Sequence, residues 1–329
     1  MRSNGKSYAV KKYCAEESFL HDKKFVYLRR YSLDINAYSV EQYFSDLPIK
    51  EITDSQYNSI EVYKKMINAV YKNEDGKIEK RKHIGYVMHL SGVEHFKSLA
   101  YPDVFNIIFE EFVTNEGYLV NETTKLMNII STVFRDREGR IFMIGNSVNR
   151  ICPYFSEWQL TNIPTQEVNT IDTYTVKYDD VSIKIACEYC GNNDTTNNKF
   201  FFGRQADSII KGQWECDTYP KPPNERNGKH NVISRILLHH EQFDYIINLM
   251  EDNNGYVYLK ITPSGNLSID SYDLVLTKEF NVLPLHVRTM KFFSIGKKLK
   301  TLFESGKVCY SDNLTGTEFN NILCDWDIW

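Results

Sequence analysis

Cysteine is sparse and odd in number, seven residues scattered over 329 positions. That excludes a small domain stapled by disulfides and fits reduced thiols packed in an interior. No apolar run approaches the roughly 18 residues of a membrane span. No N-terminal stretch carries the basic-then-apolar pattern of a secretory signal. The reading is therefore a cytosolic protein with no membrane partner. An excess of one charge is also missing. Net charge is −4 with 25% charged residues, so any nucleic-acid contact has to come from local basic patches. Internal repeats and low-complexity tracts are absent. What is abundant is aromatic, 14% with 22 Tyr and 19 Phe, beside an ordinary 42% apolar content. The length allows a large core and two domains.

Chemistry is concentrated first at the extreme N-terminus. Gly5-Lys6-Ser7 is the second half of a phosphate-binding loop, G-x-x-x-x-G-K-[ST]. In such a loop backbone N–H groups wrap the phosphates, the Lys reaches the β/γ-phosphates and the Ser hydroxyl binds Mg²⁺. The helix expected over residues 6–20 would aim its positive end at the anion. A bare G-K-S also suits a solvated tail. The first loop Gly would fall one position before Met1, and the apolar strand that feeds such loops is lacking. The expectation is that the natural start lies upstream of Met1, with a short apolar strand ending in Gly. The chain as written is then expected to be poorly soluble or to bind nucleotide weakly.

Downstream, the patterning alternates strands and helices. Strands are expected at Phe25–Leu28, 59–72, 78–90, 104–109 and 140–146. Helices are expected near Ser39–Phe44, capped by Ser39, and from Asn121 or Thr123 to about Arg135. Val104–Phe109 is mostly apolar, as in a central parallel strand buried on both faces, and it ends in Glu110 and Glu111. Ligands of open α/β sheets sit at the carboxyl ends of the strands, where Lys6, Glu110, Glu111 and Asn146 would meet. An acid pair closing an apolar strand is the other half of a P-loop NTPase, one acid for Mg²⁺ and one for the attacking water. Arg135 and Arg137 follow the next helix. They either serve transition-state charge or match the helix dipole.

Residues 191–230 read as a connecting segment that docks on something, because Phe200-Phe201-Phe202-Gly203-Arg204 is too apolar for a free linker. Beyond it, strands at 233–239, 244–250 and 255–262 and helical patterns at 285–304 and 316–325 indicate a smaller α+β domain. Cys187-Glu188-Tyr189-Cys190 lacks a second CxxC. A zinc would need two more ligands from Cys216, His230, His239 or His240, and a strand end with two ordinary cysteines explains the pattern as well. Basic residues at 286–300, His286, Arg288, Lys291, Lys297, Lys298 and Lys300, read equally as a nucleic-acid or portal contact and as the solvated face of a helix.

Taken in register, these pieces resemble the DNA-encapsidation ATPases of small short-tailed phages, the phi-29-like group of large-terminase relatives. Arg2–Ala9 (RSNGKSYA) is similar to the family's phosphate loop, and Phe25–Tyr31 (FVYLRRY) to its second strand. Lys97–Pro102 and Ile108–Phe112 resemble the acidic strand and its approach. Thr132–Glu138 and Gly145–Val148 continue the match, Phe202-Gly203-Arg204 falls in the linker, and Lys298-Leu299, Phe303, Gly306 and Asn313 follow the C-terminal pattern.

The resemblance implies an α/β protein. Residues 1–190 would be a P-loop (ASCE-type) three-layer ATPase domain lacking its first strand, 191–230 a linker, and 231–329 a C-terminal domain resembling a degenerate RNase H-like nuclease. It implies ATP and Mg²⁺ as cofactors. Arg2, Gly5, Lys6 and Ser7 would hold phosphate, and Ser7 and Glu110 would hold Mg²⁺, with Glu110 standing where Asp is usual. Glu111 would be the catalytic glutamate and Arg135 a finger acting on the neighbouring subunit. Lys97 would be a second basic residue facing that site, and Asn146 would couple the γ-phosphate state to movement. The implied function is ATP-driven translocation of double-stranded DNA into a procapsid in the host cytoplasm. The implied assembly is a homo-oligomeric ring, a pentamer by resemblance, on the phage portal, with a packaging RNA as a further partner. The competing readings are an active terminase with endonuclease activity and a non-hydrolysing structural remnant. Strand 255–262 carries no carboxylate, and Asp244, Glu251 and Asp252 read as turn or strand-end acids, which argues against a two-metal nuclease.

Overall fold

The computed structural model describes residues 5–96, 99–114, 117–146, 149–178, 181–191, 217–223, 230–241, 243–265, 271–279, 283–326 and 328–329. The first helix, α1 (Lys6–His21), leads into β1 (Lys24–Arg29). Then come α2 (Ala37–Phe44), a single turn α3 (Ile49–Ile52), β2 (Ser59–Tyr63), β3 (Met66–Lys72) and β4 (Ile78–His89). β5 (Val104–Glu110), α4 (Glu122–Phe134), β6 (Arg140–Ile144) and the short α5 (Pro153–Glu157) follow.

These strands form one sheet in the order β2-β3-β4-β1-β5-β6. β1 runs parallel to both β4 and β5, and β6 runs parallel to β5. Alternate side chains of each strand point to opposite faces, and the sheet uses both. Phe25, Tyr27, Ile108 and Ile144 pack with Cys14 and Ala15 of α1 and Val40 and Phe44 of α2. Val26, Leu28, Ile107 and Phe109 pack on the other face with Leu126, Ile129 and Val133, a helical stripe of α4. Helix, sheet and helix thus form three layers. α1 buries a small and polar stripe, Lys11, Cys14, Ala15 and Ser18, so its axis lies close to the sheet.

Among the described residues no strand pairs with the outer edge of β6. Its Ile141, Phe142 and Met143 are only half-buried.

Three local expectations need correction. The cap of α2 is Asn36, whose side chain accepts from Ser39 N while the Ser39 hydroxyl accepts from Asn36 N, so Ser39 closes the capping box three residues inside. The single strand expected over 59–72 is a hairpin, β2 and β3, paired Tyr63 to Met66. Its turn residues Lys64 and Lys65 have φ of 47° and 64°. Such primed turns are normally announced by Asn-Gly or Gly, and two lysines give no such signal. The helix expected over 285–304 spans only Ser294–Glu304, and His286–Val287 is a strand.

The second sheet begins after a separate antiparallel hairpin, β7 (Thr170–Tyr178) and β8 (Val181–Tyr189). It comprises β9 (Asn231–His240), β10 (Phe243–Glu251), β11 (Val257–Pro263), β12 (Leu274–Thr277), β13 (His286–Val287) and β14 (Val308–Tyr310). Its order is β13-β12-β9-β10-β11-β14. β9, β10 and β11 form an antiparallel meander, while β12 is parallel to β9, β13 to β12 and β14 to β11. The helices Ser294–Glu304 and Asn313–Asp325 supply Leu299, Leu302, Phe319 and Ile322 to its core. Of the connecting stretch, Gly191, 217–223 and His230 are described, and 217–223 docks on this sheet. Tyr310 N donates to Pro220 O at 2.9 Å, and Tyr219 N donates to Asn313 Oδ1 at 3.2 Å. Phe202-Gly203-Arg204 and Cys216 lie outside the described residues.

Three consecutive residues join the two sheets. Ile151 is buried in the second core although it follows the first. Arg150 lies 2.9 Å from Glu318 Oε1, and Asn321 Nδ2 donates to Asn149 Oδ1 at 3.0 Å.

The lysine hairpin yields a stability expectation. A left-handed backbone at a residue with a Cβ costs about 1–2 kcal/mol, partly offset in glycine by unfolded-state entropy. Lys65→Gly is expected to stabilise the protein by about 0.5–1 kcal/mol, read as a higher urea midpoint at unchanged slope. A lower midpoint would contradict the turn geometry.

Candidate functional site

The carboxyl ends of β1, β5 and β6 and the amino end of α1 meet at one edge of the first sheet. Gly5 caps α1 with φ of 80°, a conformation open to glycine and costly to other residues. Among the described residues no side-chain cap is formed at this end and no acid occupies the first turn, so the amino end keeps its positive character. Burial holds the Lys6 ammonium below the ordinary lysine value, and the nearby Cys190 and Glu110 oppose that shift. Lys6 and Glu110, 104 positions apart in sequence, are therefore electrostatic neighbours.

Glu110 is buried at the end of β5, and its Oε1 accepts a hydrogen bond of 2.5 Å from the Tyr43 hydroxyl on α2. Burial, and then the Glu110 carboxylate, push the Tyr43 phenol above its ordinary value, with a hydrogen bond to Ser7 opposing. One phenol thus touches both Ser7 and Glu110. The hydroxyl and carboxylate are hard oxygen donors, the type that Mg²⁺ prefers, so these residues fit that ion.

Glu111, next along, leaves the strand with φ of 57°. Its carboxylate accepts from Arg29 at 2.7 Å. Arg30 holds the backbone of this turn, donating to the carbonyls of Glu111 at 3.0 Å and Phe112 at 2.7 Å. The same guanidinium is paired with Glu122, whose side chain is fully buried, at 2.9 Å. Glu122 also accepts from Tyr154 at 2.8 Å and from Leu119 N at 2.8 Å. The charge inside the protein is therefore fully hydrogen-bonded, as a buried charge must be.

Asn146 follows β6, half-buried, at the same edge. The adjoining Gly145 packs so closely that an added Cβ would lie 3.1 Å from the Phe112 ring, which ties the end of β6 to the turn after Glu111.

Arg135 is elsewhere. It is exposed at the end of α4 and donates to Leu99 O at 3.4 Å. α4 returns antiparallel to β5, so Arg135 sits by the amino end of that strand. The seven residues of β5 separate it from the acids by about 20 Å. Arg137 is engaged locally, donating to the carbonyls of Tyr101 and Val133 at 2.7 Å each and of Val104 at 3.2 Å. Arg2 and Lys97 lie outside the described residues.

The structure therefore brings Gly5, Lys6, Ser7, Glu110, Glu111 and Asn146 to one edge and leaves Arg135 at the other. Sequence reasoning gave no role to Arg29, Arg30, Tyr43 or Glu122. The adjacent arginines closing β1 were a visible signal. Tyr43 gave none, because only the packing of α2 carries it to Glu110.

Cys187 lies in β8 and is half-buried against the first core, with Cys190 just beyond the strand. Among the described residues no group of three or more His, Cys, Asp or Glu is placed to hold a metal ion. No described helix is long and apolar enough to cross a membrane.

Residues 1–216 match the family of podovirus DNA encapsidation proteins (Gp16). The chain belongs to that family. Its relatives include the DNA packaging protein of Bacillus phage B103, 35% identical over 158 residues, which cover 47% of this chain and 44% of that protein. The DNA packaging proteins of Bacillus phages PZA and phi29 are each 30% identical over 220 residues, covering 66% of this chain and 59% of the relative. The chain thus spans about half the length of the curated relatives it matches. Among solved structures, the bacteriophage Phi-29 viral genome packaging motor assembly matches with a TM-score of 0.52 at 23% identity, over 98% of this chain and 90% of that one. The Phi-28 gp11 DNA packaging motor gives a TM-score of 0.50 at 18% identity, over 98% and 91%. At these identities the likeness is one of fold.

In this Gp16-family chain the Arg30–Glu122 pair yields a direct expectation. Removing one charge of a buried pair costs about 3–5 kcal/mol. Glu122→Gln is expected to lose that much in urea denaturation, and a loss under about 1 kcal/mol would show that the pair is dispensable.

Proposed function

We propose that this chain is the ATPase of a DNA-packaging motor, hydrolysing ATP to drive double-stranded DNA into a procapsid. The observation that carries the reading is the meeting, at the amino end of α1, of Lys6 with Glu110, the last residue of β5, and of Ser7 with the Tyr43 phenol that is bonded to the same acid. Phosphoryl transfer needs little beyond such positioning and charge.

In this reading the amino end of α1 and Lys6 bind the β/γ-phosphates, with Arg2 beside them. Ser7 and Glu110 hold Mg²⁺, which neutralises phosphate charge when bound. Glu111 orients the attacking water and takes its proton. The Arg29 bond holds the Glu111 carboxylate to β1, so this arrangement is a resting one and Glu111 has to leave Arg29 to reach water. Asn146, tied through Gly145 to the same turn, relays the phosphate state.

Arg135 acts on a neighbouring subunit's site, with Lys97 near it. Its exposure and its distance from its own acids support a role across an interface. This implies a homo-oligomeric ring, a pentamer by resemblance, engaging portal, procapsid and DNA, with a packaging RNA as a further partner in the host cytoplasm. Residues 1–190 serve as the ATPase domain, 191–230 as the linker and 231–329 as an RNase H-like domain. The antiparallel meander flanked by β12 and β13 parallel to β9 supports that last likeness. We read it as catalytically silent. Asp244 is paired with His239 at 2.6 Å, and Asp252 accepts from Asn254 N and Tyr256 N in its turn.

The test is turnover. Glu111→Gln is expected to lower ATP hydrolysis by about 10²–10⁴-fold while nucleotide still binds. Undiminished turnover would remove Glu111 from the chemistry. Arg135→Ala is expected to lose about 10³-fold or more, and mixing it with Lys6→Ala subunits is expected to restore turnover. No recovery in demonstrably mixed rings would argue for a finger within the subunit.

A further inference from the structure

A glutamate that holds a cation has one more rotor than an aspartate, and a mobile carboxylate binds weakly because ordering it costs entropy. Glu110 is buried and held by a neighbour. Its Oε1 receives the Tyr43 hydroxyl at 2.5 Å. Tyr43 is itself clamped. Its carbonyl accepts from Lys11 Nζ at 2.5 Å, and the same ammonium lies 4.6 Å from the centre of its ring. The ring packs against Tyr27 at 4.7 Å and Phe44 at 4.9 Å between centroids. Lys11 is buried and also pairs with Asp46 at 2.5 Å. Lys11 stands one helical turn after Ser7, so α1 presents both to the same neighbour, α2. One clamp thereby sets the phosphate-loop serine and the buried acid relative to each other.

We infer that Tyr43 is a positioning residue for the divalent cation: its hydroxyl fixes one oxygen of Glu110 and leaves the other for the ion. The inference rests on the reading of this edge as a Mg²⁺–nucleotide site. Carboxylates that ligate metals are themselves hydrogen-bonded, and loss of that outer partner weakens metal binding by about 10–100-fold. Lys11 acts one step further back by holding the tyrosine.

The experiment uses the 329-residue chain with a non-hydrolysable ATP analogue and Mn²⁺ as the probe, its binding followed by electron paramagnetic resonance. Tyr43→Phe keeps the ring and its packing, and a thermal melt checks that it folds as the parent does. The Mn²⁺ dissociation constant is expected to rise about tenfold in Tyr43→Phe. Glu110→Asp is expected to weaken binding as well, because the shortened acid withdraws from the phenol. Adding Tyr43→Phe to Glu110→Asp is expected to cause no further loss, as for residues acting through one contact. A Tyr43→Phe constant within twofold of the parent, or losses that simply multiply in the double variant, would overturn the inference alone. A parent chain that binds neither analogue nor Mn²⁺ would overturn the site reading and the inference with it.

Discussion

A single buried guanidinium holds the working edge of the first sheet together. Arg30, the residue after β1, pairs with a fully buried Glu122 at the start of α4 and donates to the two carbonyls that follow the acidic strand. Burying a charge is costly unless every hydrogen-bonding position is answered. Here each answer comes from a different element: α4, the turn after β5, and Tyr154 of α5 through the shared carboxylate. None of these can shift without exposing the charge. The left-handed backbone at Glu111 persists because its carbonyl is held, as strained residues persist when their surroundings over-determine them.

That constraint separates the two acids. Glu110 stays within the regular strand, buried, with its carboxylate directed to Tyr43 and the start of α1. Glu111 is turned outward to Arg29. Adjacent residues of a strand face opposite sides, and the turn beginning at Glu111 moves the second acid further. One acid suits a fixed task in a dry place and the other a task that requires movement.

The contact between the two sheets begins close to this edge. Asn149 donates to Thr114 O, beyond the acidic turn, and accepts from Asn321 of the C-terminal helix. Ile151 is buried in the second core. Residues 149–151, shortly after β6, thus belong in part to the other core. The local ion pair between Arg150 and Glu318 sits beside it, and burial raises the Glu318 carboxyl above its ordinary value in spite of the arginine.

The chain's own pattern determined much of this. The apolar run ending in Glu110 and Glu111 marked β5 as a parallel strand, and the run leading to Arg29 marked β1 as a strand. Gly5-Lys6-Ser7 marked the start of α1, and the periodicity of 121–135 marked α4. Those features follow from backbone geometry and side-chain burial within one segment, which a sequence carries directly. Tertiary structure decided what depends on contacts between distant segments. The Lys64–Lys65 turn takes positive φ because the flanking strands pair, and not because of its residue types. β12, β13 and β14 are short parallel strands, stable only against a neighbour. Tyr43 reaches Glu110 across 67 positions, and Arg30 reaches Glu122 across 92. No local pattern encodes which polar group a buried charge will find. That choice is made only when the helices close on the sheet and water has gone.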